Sequence, residues 1–249
     1  MQRYITACAG RGAYPIKFNG SIFTTDTRAL GTNYDADYRN WGGCYWFQNT
    51  RLIYYPLFMS GDFEMIRPLF SMYFNALPLQ KDATLKRFGH AGAFIGETIH
   101  FWGTYNNNNW GWNNNDSLPH NNWIKRDYNG TLELLGMMLD YFEFTEDTLF
   151  AGEYLIPYSK EVLTFFDLHY ARDDKGFLYI NPAQSLETWW IATNPTPNIA
   201  ALRFFLPRLT ELPENLLEFE QKENWQRLLN ELPEVPLGTE NGMNVILPA

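Results

Sequence analysis

The stretch Ser185-Leu186-Glu187-Thr188-Trp189-Trp190 sets one carboxylate between a leucine and two adjacent tryptophans. Partial burial against indole rings disfavours the charged form of a carboxyl group and raises its pKa. An acid still protonated near neutral pH is a proton donor, the general-acid half of a hydrolytic reaction. Glu187 is therefore the first candidate catalytic residue. Amide side chains orient water and hydroxyl groups through directed hydrogen bonds, and Gln48 and Asn49 stand side by side where an apolar helical run begins. Asp37, Arg39 and Asn40, in DADYRNW, carry hydroxyl-binding groups, although an Arg near an Asp in a loop also reads as an ion pair. His100 with Glu97 offers a polar cluster, and Asp116, in an asparagine-rich loop, is a candidate base. Asp127, in IKRDYNG, directly precedes a strong helical pattern and reads as its N-cap.

The composition suits this chemistry to a particular substrate class. Of the 249 residues 17% are aromatic, with 9 Trp, 15 Tyr and 19 Phe. Aromatic faces stack on the C–H faces of sugar rings, and Asn and Asp bind hydroxyls. Trp102, Trp110, Trp112, Trp123, Trp189 and Trp190 are the stacking candidates, the first four set among glycines and asparagines where simple core filling is a weaker explanation, and Trp41 is a further substrate-binding candidate. The Phe residues read as core. A formal net charge of -9, with no basic stripe, argues against nucleic acid and against an anionic membrane surface. The same balance disfavours a strongly anionic substrate. No cofactor fingerprint, phosphate-cradling glycine loop or Ser-His-Asp elbow is present, and no metal-ligand spacing, so neither cofactor nor metal is expected. The two cysteines, Cys8 and Cys44, read as buried thiols, with a single bridge the alternative. No run is long and apolar enough for a transmembrane helix, and the first residues lack a signal peptide's apolar core.

The elements that must position these groups are helical. Residues 1–9 read as the last turns of a helix ended by GRG. A helix is predicted over Cys44–Gly61, stopping at Gly61, and another over 62–89, capped by Asp62 and kinked or segmented at Pro68 and Pro78. Residues 91–122 form a long irregular centre. A strongly amphipathic helix spans Asn129–Asp147, and a short and then a longer helix lead to Gly176, with Thr145 and Asp147 available as caps. An extended excursion over 176–190 and two further helices separated by Pro213 follow, then a tail with one strand-like run. Helix hairpins with rich loops at one end fit an α/α toroid, whose inner helices and end loops line a cavity. The class is all-α: an incomplete (α/α)6 toroid of six-hairpin type, with long loops and a short β excursion.

The ordered strings PIKFNGSIF, NTRLIYYPL, FGHAGAFIGETIHFWG, MLDYFEFTEDTLFAGEYLIPYSKEVLTFF and GFLYINPAQSLETW resemble the family-95-type glycoside hydrolases, the α-L-fucosidase and α-L-galactosidase group, and within it a bacterial branch. The resemblance covers roughly Tyr14 to Pro213. It implies an (α/α)6 catalytic domain of which this chain is a portion, flanked in the whole protein by an N-terminal β-sandwich and the rest of the toroid, and a secreted or periplasmic location for that protein. The family's general acid lies in a Ser-Pro-Glu-Asn motif, matched here by Ser185-Leu186-Glu187-Thr188 with the Pro and Asn replaced. Its water-positioning Asn-x-Asn pair, counted back from Pro56, falls on Phe47 and Asn49, so only Asn49 keeps the amide. Its Asp-Leu-Trp-Gly loop appears as His100-Phe101-Trp102-Gly103, and its base-side Asp would fall beyond Ala249. The implied activity is hydrolysis of an α-linked neutral sugar with inversion: Glu187 and Asn49 are catalytic, and Trp41, Gln48, His100, Trp102, Trp112, Asp116 and Trp189 contact an oligosaccharide or glycoside. A catalytically inactive carbohydrate-binding toroid is the alternative, and a protein-binding helical scaffold a third. Sugar, linkage and oligomeric state are left open.

Overall fold

A computed structural model describes residues 2–17, 31, 43–104 and 121–249, and among these the chain is mostly helical. The first helix, α1, spans Gln2–Ala9. A short strand β1 (Tyr45–Trp46) runs straight into α2 (Phe47–Ser60), which stops where Gly61 takes a left-handed φ of 71°. A 3-10 turn (Phe63–Met65) leads to α3 (Arg67–Asn75) and α4 (Leu77–Phe88). Pro68 and Pro78 thus divide the stretch expected over 62–89, and each stands in the first turn of its helix, where the missing N–H costs nothing. Asp62 does not cap as predicted, because its carboxylate accepts the Ser60 hydroxyl instead, at 2.6 Å.

Strand β2 (Thr98–Ile99) pairs antiparallel with β1, Tyr45 opposite Ile99 and Trp46 opposite Thr98. Helix α5 (Asn129–Thr145) ends at Glu146, and Asp147 caps the next turn by accepting the Phe150 N–H at 3.0 Å. That turn, α6 (Thr148–Phe150), passes through a π-helical segment (Ala151–Leu155) into α7 (Ile156–His169). An excursion held by bridges Arg172–Leu178 and Ala183–Ala192 precedes α8 (Thr196–Thr210) and α9 (Phe219–Asn230). The tail holds two strands rather than one: β3 (Leu237–Glu240) and β4 (Met243–Ile246) form a hairpin. Its turn residues Asn241 and Gly242 both have positive φ, 52° and 76°, the Asn-Gly turn that matches strand twist.

Helix α5 is the centre, with Leu132, Leu135, Met138 and Leu139 buried, and α2, α7 and α8 pack against it. α8 packs in turn on α9, and α4 on α7. The starts of α2 and α5 lie together, since a Cβ on Gly130 would come within 2.9 Å of the Phe47 ring. The start of α8 joins them through Asn198, whose amide donates to Asn129 Oδ1 at 3.0 Å. α7 runs the other way: His169, at its end, meets Tyr128 at the start of α5. The ends of α7 and α9 are tied by Asp167 and Glu231 with Arg172 and Arg227. Thus α2, α5 and α8 share one direction and begin at one end of the molecule.

Neither cysteine is in a disulfide; Cys44 is buried as expected, but Cys8, on α1, is exposed. Among the described residues no helix is long and apolar enough to cross a membrane.

Gly92 sits at φ 93° with the backbone of Phe165 as close as 2.4 Å to where a Cβ would lie. Gly176 has φ 86° and open space around it. Gly92→Ala is expected to lower unfolding free energy by about 2 kcal/mol or more, combining a left-handed backbone with a clash against main chain, and Gly176→Ala by only about 1 kcal/mol. Urea denaturation of the two variants checks the order.

Candidate functional site

The shared helix end is built around one buried acid. Glu97, 2% exposed, directly precedes β2, opposite the first residue of α2. Its carbonyl accepts the Phe47 N–H at 2.9 Å and its Oε1 accepts the Gln48 N–H at 2.7 Å. Two of the orphan donors of α2 are thus satisfied by one residue, and the positive end of the helix faces a carboxyl group. The second oxygen, Oε2, lies 3.2 Å from where a Cβ on Gly130 would stand, so the first turn of α5 closes over it. One turn further along, Arg51 of α2 pairs with Glu133 of α5 at 2.9 Å.

Asp127, 4% exposed, is the second buried acid. The residue at the head of α5 is Tyr128 and makes no side-chain cap, but Asp127 serves that end from one place earlier. Its Oδ1 accepts the Asn129 backbone N–H at 3.2 Å and the Asn129 amide at 2.9 Å. Asn129 also reaches toward the Ser185 carbonyl at 3.5 Å and accepts from Asn198. The Oδ2 of Asp127 accepts no hydrogen bond from any described residue. Burial pushes the Asp127 carboxyl up to about 6, opposed by its bonds to Asn129 and reinforced by the charges of Glu133 and Glu187. Burial, and then the charge of Asp127, hold Glu97 well above the usual carboxylate range, against the Gln48 N–H and Arg51. Two desolvated acids whose charges interact disfavour both being ionised at once.

Glu187 stands at the rim of this pair, half-buried, and makes no hydrogen bond with a described residue. It rides on a tight turn: Ala183 bridges Ala192, and the Trp189 N–H donates to the Leu186 carbonyl at 3.0 Å. Ser185 pins the turn to the tail by donating to the Pro248 carbonyl at 2.6 Å. The expectation of indole walls around Glu187 is corrected here, because Trp189 and Trp190 turn outward and are 47% and 39% exposed. With Thr188, Ile191, Asn122 and Arg126 they line a separate open cleft of about 370 Å3, which Glu187 does not line. Buried Gln184 holds the two walls together: its amide donates to the Trp123 carbonyl at 2.7 Å and accepts the Arg126 N–H at 3.3 Å. Trp123 meets Trp190 edge-to-face at 5.4 Å.

The predicted residues therefore divide. Gln48 and Asn49 lie in the first turn of α2, beside Glu97, and both are partly exposed. Trp189 lines the cleft. His100 and Trp102 form a different feature, a face-to-face stack at 4.3 Å, and His100 shares no hydrogen bond with Glu97. Trp41, Trp112 and Asp116, with Asp37, Arg39, Asn40 and Trp110, lie outside the described residues. Sequence reasoning passed over Asn129, Asn198, Gln184 and Arg126 and read Asp127 as a cap ahead of a catalytic role. A signal was present for Glu97, an acid set one glycine after the apolar run Ala93–Ile95. Among the described residues no three His, Cys, Asp or Glu side chains gather as a metal site would need.

No family model and no curated protein matches this chain.

The raised acids reverse the usual pH dependence of carboxylates. A folded pKa of about 6 against an ordinary 3.8 means that the folded state holds a proton the unfolded chain releases. Stability from this group is present below the unfolded pKa and is lost as pH rises through the folded one. Asp127→Asn keeps the acceptor for Asn129 and removes the charge. Its melting temperature relative to the parent is expected to rise between pH 4 and pH 6.5; a relative fall over that range would show a depressed, ion-paired carboxylate instead.

Proposed function

We propose that this chain is a portion of an (α/α)6 toroid of the glycoside hydrolase type, acting with inversion on an α-linked neutral sugar. The observation that carries the reading is the meeting of Glu97, Asp127 and Glu187 at the end where α2, α5 and α8 begin, beside a cleft walled by indoles. Three helices of one direction, interleaved with α7 and α9, suit the inner and outer rings of a helical toroid.

Glycoside inversion uses one carboxyl to protonate the leaving oxygen and another to take a proton from the attacking water. Glu187, accessible on its turn, is the donor. Asp127 is the base: its pKa lies near neutrality, and Oδ2 has lone pairs free while Oδ1 is held by Asn129. Asn49 and Gln48 supply amides to orient the water. Glu97 positions the other groups by fixing the start of α2, and the charge of Asp127 raises the proton affinity of Glu97 in turn.

A second reading, carbohydrate binding without turnover, is favoured by one observation: Thr188 and Trp189 line the cleft but Glu187 does not. Leaving-group dependence separates the two. Glu187→Gln should slow cleavage of an unactivated disaccharide by roughly 10²-fold or more, and cleavage of a nitrophenyl glycoside, whose leaving group needs little protonation, much less. Equal rates in parent and variant on both substrates would remove Glu187 from the mechanism. Sugar binding with no turnover by the parent would establish the second reading.

A further inference from the structure

The Trp189–Trp190 cleft contains a group that a neutral sugar does not need. Arg126 lines it, and its guanidinium makes no ion pair or hydrogen bond with any described residue. That sets it apart from Arg51, Arg67, Arg172, Arg203, Arg208 and Arg227, each of which pairs with a carboxylate. In a chain of net charge -9 acids are plentiful, yet no described carboxylate pairs with this guanidinium. The groups that sense its charge are neutral phenols, Tyr128 and Tyr170, and the Tyr170 hydroxyl is itself buried without a hydrogen-bond partner.

The cleft also holds Arg126 in place. Its backbone N–H is fixed by the buried amide of Gln184, the same side chain that binds the Trp123 carbonyl. Trp123 buttresses Trp190 across the gap. Indole faces, a planar five-donor cation and the small polar groups of Asn122 and Thr188 therefore surround one space. Indoles accept the C–H face of a pyranose, and a guanidinium accepts two oxygens of a carboxylate or sulfate in a fork. The overall negative charge weakens long-range attraction of anions, but a half-buried guanidinium fork acts at contact distance, where screening matters less.

We propose that this cleft is a subsite for an anionic sugar residue, with Arg126 binding the carboxylate or sulfate and Trp189 and Trp190 the ring. The inference rests on the carbohydrate reading above and deepens it: the neutral sugar whose linkage is cleaved would be attached to an acidic glycan. Uronate and sulfate share this chemistry, and the experiment distinguishes them.

The test titrates the full chain with α-linked digalacturonate, α-linked digalactose of the same linkage, and a sulfated galactobiose, followed by calorimetry and by tryptophan fluorescence. The parent is expected to bind one of the anionic sugars at least about tenfold more tightly than the neutral one. The preferred anion then names the natural group. Arg126→Gln should abolish the preference while leaving the melting temperature unchanged, and Arg126→Lys should restore part of it. Equal affinities in the parent, a preference that survives Arg126→Gln, or no binding of any of the three overturns the proposal. The hydrolase reading fails separately: an Arg126-dependent preference without turnover leaves the subsite standing, and turnover without an acidic preference removes only the subsite.

Discussion

A carboxyl group buried where helices begin organises this molecule. Glu97 binds the first two amides of α2 with its carbonyl and its side chain, and α5 begins directly above its other oxygen. An acid in that position suits the helix ends electrostatically but not the dry interior, so its proton affinity rises. The consequences are spatial. Only glycine at 130 lets the two helices approach, and the approach brings Asp127, Asn129 and, through Asn198, the start of α8 to the same place.

The chemistry follows from that crowding. Asp127 cannot ionise freely in the dry interior, its charge in turn raises Glu97, and Glu133 and Glu187 add further negative potential. Two buried carboxyls, Glu97 and Asp127, with raised proton affinities are the kind of arrangement from which acid and base roles are drawn. Asn129 ties this group to the turn bearing Glu187, and Ser185 ties the turn to the tail. The aromatic cleft is organised separately, by Gln184, so proton chemistry and ring stacking are adjacent but have different supports.

Much of the helical order was legible because its signals are local. Gly61 stops α2 in a left-handed conformation, Pro68 and Pro78 open α3 and α4, and Asp147 caps the turn after α5. The tail hairpin was missed although Asn241-Gly242 is a local signal, because the flanking residues alternate too weakly to read as two strands. Asp62 was misread because a nearby serine hydroxyl competes for the same carboxylate, a choice that depends on side-chain geometry.

The candidate site was legible only in part, and the division has a physical cause. The sequence alone identified an aromatic, asparagine-rich helical chain, a candidate acid at Glu187 and amides at Gln48 and Asn49, since these follow from residue type and near-neighbour spacing. Tertiary structure decided which acids lose water. Glu97 and Asp127 are 30 residues apart in sequence and become coupled only when α2 and α5 pack start to start. Arg126 looks like any surface cation until the fold places indoles beside it and pairs it with no carboxylate among the described residues. Desolvation and charge coupling depend on distances across the packed core, and those exist only once the chain has folded.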